Sequence, residues 1–225
     1  MKKVLSLLAA VVLLSSVGSA QQKMARRLTE KDLAGMTPAA AFKAQHRTAA
    51  TPVSPKTAGD TISSYPWTEG FESATLQGFT FVDSDGDGFN WERMTASEDL
   101  FSCHSGDGVI VSASYDNDNN AVLYPDNWMI LPAFTLPADA SEYTLSWYEK
   151  GQDASYSAEN YSVYICTTGR TVNDFTATTA VLMSTSTDAW VKKTVSLANY
   201  GGQTIFIAFR HWNVSDMFFL NIDDI

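Results

Sequence analysis

Three aspartates spaced two apart, Asp83, Asp85 and Asp87, stand in the stretch DSDGDGFNW at residues 83–91, punctuated by Gly86 and Gly88. Carboxylates set this closely repel one another, and the usual remedy is a hard divalent cation that takes oxygen ligands, calcium above all outside the cell. A helix–loop–helix calcium loop requires oxygen donors at its positions 1, 3 and 5, glycine at 6 and a bidentate glutamate at 12. Asp83, Asp85, Asp87 and Gly88 satisfy the beginning of that pattern, but position 12 falls on Met94, which has no oxygen to give, and position 9 on Trp91. The preceding GFTFV is strand-like and no amphipathic helix follows, so this loop type is excluded while the ligand chemistry stands. A solvated Asp-Gly turn between strands is the competing reading, with Trp91 assigned to the core.

Further acids lie near the two ends of the same region. WTEGFESA, residues 67–74, carries Glu69 and Glu72, and FFLNIDDI, residues 218–225, ends on Asp223 and Asp224. Adjacent strand residues face opposite ways, so one of the last two aspartates is expected at any given site. If the first and last strands are neighbours, Glu72 and Asp224 meet at one structural cation that ties the ends together. The aspartates of 83–87 would then complete that same site.

Signatures of catalysis are missing. The chain has no G-x-S-x-G elbow, H-E-x-x-H helix, C-x-x-C pair or phosphate-binding glycine loop. His46, His104 and His211 are far apart, and no local spacing supports a Cys103–His211 or Cys166–His104 nucleophile pair. A non-catalytic role is therefore expected. Cys103 and Cys166, the two cysteines, allow either one disulfide or two buried thiols.

Six tryptophans and nine tyrosines serve either core packing or the stacking of a sugar ring. Tyr156 and Tyr161, close to Asp153, Glu159 and Asn160, are the best candidates for exposed ligand contacts, with Asn160 beside them. Asn160-Tyr-Ser and Asn213-Val-Ser match the glycosylation triplet.

A β framework must position these groups. GFTFVD, GVIVSASY, NWMILPAF, YTLSWYEKG, NYSVYICTT, TAVLMSTST, WVKKTVSL and TIFIAFRHW are β-rich or alternating runs separated by Gly, Pro, Asn and Asp clusters. Strands at this spacing without intervening helical patterns predict an all-β fold, an antiparallel β-sandwich of jelly-roll, galactose-binding-like type. In TIFIAFRHW, Ile205, Ile207 and Phe209 alternate with Phe206, Ala208 and Arg210, so both faces are apolar and the strand is expected to be central.

Ahead of this domain, residues 1–20 read as a secretory signal peptide. Lys2 and Lys3 precede an apolar run from Val4 to Leu14, too short to span a bilayer, and Gly18, Ser19 and Ala20 follow. Residues 21–62 read as a basic Ala/Thr/Pro-rich linker or pro-segment, with a short helix expected from Thr29 to Leu33. From 21 to 60 seven basic residues face three acids, whereas from 61 onward six face twenty-two. The domain at 63–225 is thus strongly acidic, which disfavours nucleic acid and anionic lipid and suits a divalent cation. No later apolar run is long enough for membrane insertion.

WTEGFES, GFTFVDSDGDGFNW, YPDNWMILPAFTLP, YTLSWYEKGQDASYSAENYSVYICTTG, DFTA, WVKKTVSLANYGGQTIFIAFRHWN and DMFFLNIDDI resemble, in that order, the cleaved adhesin domain of gingipain-type and haemagglutinin-type surface proteins. The same module is described as choice-of-anchor J, and a more distant likeness is to the MAM domain. The resemblance implies a jelly-roll sandwich with structural calcium, working outside the cell as a module that binds host protein or glycan. It carries the calcium sites onto Glu72, Asp83, Asp85 or Asp87, and Asp224, with Asp153 and Glu159 as candidates for a second site. It also leaves open an accessory or targeting domain of a secreted peptidase or other hydrolase, or a carbohydrate-binding module.

Overall fold

The computed structural model describes residues 61–96 and 101–225. The signal-peptide reading, the Thr29–Leu33 helix and nearly all of the basic segment lie outside the described residues. The strands are β1 (Thr61–Ile62), β2 (Thr80–Asp83), β3 (Glu92–Thr95), β4 (Gly108–Ala113), β5 (Tyr115–Asp116), β6 (Ala121–Val122) and β7 (Asp126–Ile130). They continue with β8 (Ala133–Thr135), β9 (Thr144–Gly151), β10 (Asn160–Cys166), β11 (Leu182–Thr185), β12 (Val191–Ser196), β13 (Thr204–Trp212) and β14 (Phe219–Asp223). A short helix, α1 (Val172–Thr176), follows β10.

Two sheets face each other, as expected of a sandwich. One has seven strands, in the order β1-β8-β13-β10-β11, with β7 pairing β13 beyond β8 and β2 pairing β7. The other runs β12-β9-β14-β4-β3, and β5 and β6 form a separate hairpin. Strand β13 is indeed central: β10 lies along one edge, and β8 and β7 lie in succession along the other.

The period-2 pattern explains the interior. Along β9, Leu145, Trp147, Glu149 and Gly151 are buried while the residues between are less so. Trp147 packs edge-on against Phe209 of β13 at 5.1 Å, and Tyr161 of β10 stacks on the same ring at 6.4 Å. Such interlayer aromatics each contribute several kcal/mol; truncation to alanine typically costs about 3–5 kcal/mol. The opposite face of the seven-stranded sheet is also covered, because Phe175 of α1 packs with Trp128, Ile130, Tyr164 and Ala208. Thr171 and Asp174 form a capping box that starts α1, fixing Phe175 over that face. This second apolar layer is why both faces of β13 read as hydrophobic.

The two ends of the domain meet. Glu69 and Ile225 exchange backbone hydrogen bonds, Glu69 N to Ile225 O at 2.9 Å and Ile225 N to Glu69 O at 3.0 Å.

Candidate functional site

Asp83 closes β2, and its carboxylate organises the turn that follows. Its Oδ1 accepts from Gly86 N at 2.7 Å and its Oδ2 from Gly88 N at 3.0 Å, while Asp87 Oδ1 accepts from Phe89 N at 2.7 Å. Gly86 and Gly88 sit at φ 75° and 87°, in the left-handed region that a side chain would strain. The turn thereby folds its acids toward one another: ligand oxygens of Asp83, Asp85 and Asp87 all lie within 4.8 Å.

Two of these acids, Asp85 and Asp87, are held above the usual carboxylate range. Burial, then a hydrogen bond with the Asp83 carboxyl and the charge of Asp87, pushes Asp85 up to about 6. Asp87 is also raised, by burial first, with the charges of Asp83 and Asp116 adding and the Phe89 amide opposing. Neighbouring Asp126 gives its backbone N–H to Asp85 Oδ2 at 3.0 Å, but its own carboxylate is held by Arg210 at 2.7 and 2.8 Å. Arg210 is in turn packed between the Trp128 and Trp212 rings. A cluster of three carboxylates offering only oxygen donors fits calcium chemically.

Glu72 and Asp224 are brought near each other, but not to this cluster. The Glu72 carboxylate accepts from Asp107 N at 3.0 and 3.1 Å and from Gly108 N at 3.2 Å, at the start of β4. Gly106 sits at φ 58°, in the left-handed region that favours glycine, and a Cβ there would lie 2.0 Å from Glu72 Oε1 and push the carboxylate aside. Asp224 contacts His104 Nδ1 at 2.6 Å and accepts from Ser105 Oγ at 2.7 Å. Its neighbour Asp223 accepts from His104 N at 2.7 Å and is pushed up to about 6, by burial first and by Asp224. Asp116, whose charge reaches Asp87, lies past the far end of β4, a six-residue strand spanning about 20 Å. One ion site built from Glu72, the 83–87 aspartates and Asp224 is therefore corrected to two separate corners of the sandwich, the second already supplied with internal donors.

The paired candidates Asp153 and Glu159 diverge likewise. Asp153 accepts from Ser155 N at 2.7 Å in its own loop, whereas Glu159 is 0% exposed. Glu159 Oε1 accepts from Ser114 Oγ at 2.8 Å and Phe218 N at 2.7 Å, and Oε2 lies 3.1 Å from His211 Nε2. His211 Nδ1 lies 2.8 Å from Ser112 Oγ, to which Asn127 Nδ2 donates at 3.2 Å. Ser112, His211 and Glu159 have the residue types of a hydrolase triad, but a serine that is 1% exposed leaves no approach for a substrate.

Among the ligand candidates, Tyr161 is corrected. It is 1% exposed, with its hydroxyl accepting from Trp147 Nε1 at 2.9 Å, so it belongs to the core. Asn160 donates to Asn213 O at 2.8 Å and accepts from Thr185 Oγ1 at 2.6 Å, and Tyr156 is half-buried in its loop. Both cysteines are free. Cys166 donates to Gly169 O at 3.0 Å, and burial, then the charge of Asp223, raises the Cys103 thiol to about 11. Trp91 is buried and donates from Nε1 to Asn127 O at 2.9 Å.

The parts that sequence reasoning missed are Asp116 and the Glu159–His211–Ser112 network. The parity of β13 carried a signal for the latter, because His211 continues the inward series of Ile205, Ile207 and Phe209 and needs a buried partner.

The comparisons with known proteins agree with this architecture. A model of the Cleaved Adhesin Domain family matches residues 64–225. Hemagglutinin A of Porphyromonas gingivalis is 32% identical over 180 residues, covering 72% of this chain and 8% of its own length. Gingipain R1 of the same organism is 31% identical over 172 residues, covering 70% of this chain and 10% of its own. The match thus spans a small fraction of these curated relatives. The crystal structure of the K1 cleaved adhesin domain of Lys-gingipain from the W83 strain has 32% identity and a TM-score of 0.62, covering 70% of this chain and 94% of that one. The K2 domain of Lys-gingipain has 27% identity and a TM-score of 0.57 over the same shares.

Proposed function

The chain belongs to the cleaved adhesin domain family, and from that premise we propose that it is a calcium-stabilised, non-catalytic adhesin module that binds host protein or glycan outside the cell. The observation that carries this reading is the contrast in how its reactive residue types are spent. Ser112, His211 and Glu159 are sealed in the interior, Cys103 is held well above neutral protonation, and the 83–87 acids face one another at the surface.

Calcium in this reading is held by Asp83, Asp85 and Asp87. It offsets the mutual repulsion of the three carboxylates and fixes the turn that joins β2 to the segment leading into β3. The relatives' names suggest red cells as a first surface to test. Adherence of the purified protein to red cells and to immobilised host proteins and glycans, with calcium and with EDTA, tests both parts. Adherence to none of these surfaces would sink the adhesin reading, and a melting curve indifferent to EDTA would sink the calcium reading.

A further inference from the structure

A groove of about 740 Å³ opens where the start of the domain, its last residues and the beginning of β9 come together. Its walls carry the rings of Tyr65, Trp67 and Tyr143 and the carboxylates of Glu69, Glu142 and Asp224, and none of the residues lining it is Lys, Arg or His. The volume is that of a ligand cleft. We propose that this groove receives a lysine or arginine side chain carried on an otherwise apolar segment of a protein partner.

Charge complementarity and ring geometry both support that occupant. Ammonium and guanidinium groups are favoured where aromatic surface and carboxylates share one partly desolvated cleft. The walls are held in place: the Tyr65 hydroxyl contacts Ile62 O at 3.2 Å and Thr135 O at 3.1 Å, and Trp67 packs edge-on against Phe134 at 5.0 Å. Glu69 accepts from Phe71 N at 2.7 Å, and Asp224 is bound by His104 and Ser105. Glu142 is exposed and, among the described residues, makes no hydrogen bond or ion pair, so its charge is available to a newcomer.

Two rival occupants fit less well. A pyranose needs a flat ring to lie on, but Tyr65 and Tyr143 stand at 88° to each other, and Trp67 and Phe134 at 74°. A bare divalent ion needs ligand oxygens close together, and the described residues form such a group only at Asp83, Asp85 and Asp87.

The proposal rests on the adhesin reading and names the chemistry of its partner. Its test uses the full chain and a blocked peptide with a central lysine between two phenylalanines, compared with the same peptide carrying norleucine, by titration calorimetry. The lysine peptide is expected to bind about tenfold more tightly, the size of a partly desolvated cation–aromatic contact. Glu142→Gln should weaken it about threefold, as for an exposed charge pair, and leave the norleucine peptide unaffected. Affinity should be equal with calcium and with EDTA. Equal affinity for the two peptides, or lysine binding that requires calcium, would overturn the proposal. So would binding that emerges only when the seven basic residues of 21–60 are changed to glutamine, since the chain's own segment would then be the occupant. Failure of the peptide alongside retained red-cell adherence removes the groove assignment and leaves the adhesin reading intact.

Discussion

Glu159 and Asp85 are both acids at one side of the same sandwich, yet the protein treats them in opposite ways. Glu159 is surrounded by donors from three other segments: Ser114, His211 and Phe218. Asp85 accepts backbone amides, but its neighbours in space include two more carboxylates, and burial first, then those neighbours, raises its proton affinity. A buried acid is tolerable when the fold supplies its partners; a clustered surface acid calls for a partner from solution. The first arrangement serves stability; the second is the one for which we propose a bound ion.

The largest test of that contrast is Glu159→Leu. It leaves three buried donors without their acceptor and should cost about 3–5 kcal/mol in chemical denaturation, the usual consequence of breaking a buried pair. A loss below about 1 kcal/mol would show the network to be dispensable. Next comes calcium removal. At a free concentration of about a hundred times Kd, calcium adds about 2.7 kcal/mol, so EDTA should lower Tm by about 5–10 °C in a domain this size. Smaller still is Asp85→Asn, which should abolish most of the calcium increment yet raise stability in EDTA by about 0.5 kcal/mol, the scale of an exposed charge interaction. If Asp85→Asn leaves the calcium increment whole, the ion is bound elsewhere.

The smallest effect is pH. Asp85 and Asp223 are both raised from 3.8 to about 6 in the folded chain, so ionising them opposes folding. Their favourable contribution is complete below about 4 and lost as pH rises through about 6. In EDTA, thermal scans should therefore show a modest rise in Tm as pH falls from 7 toward 5. With calcium present the trend should flatten or reverse, because protons then compete with the ion.

How much was legible in the sequence follows from the range of each signal. Strand periodicity is local, so the sandwich, the central place of β13 and the core role of Trp91 were readable from runs a few residues long. The partnership of acids is not local. Glu72 and Asp83 are close in sequence, but strand register sends them to opposite ends of β4, and no one-dimensional pattern records that. Tyr161 was misplaced for a related reason. NYSVYICTT has apolar residues at both parities, Tyr161, Val163 and Ile165 on one side and Tyr164 and Cys166 on the other. Only the packing of α1 over the outer face explains why neither set is free. The meeting of first and last segments was readable from fold type, but the donors that Glu72 and Asp224 find there were not.

The paired backbones of Glu69 and Ile225 have a mechanical consequence. A tensile load applied through the two ends of the domain would converge on that short latch and on the two-residue contact of β1 with β8, both at the rim. The acidic loop at 83–87 and the sealed Glu159–His211 network lie off this line of pull. Under tension the latch would peel first while the interior stayed shut, letting a tethered copy lengthen slightly without unfolding.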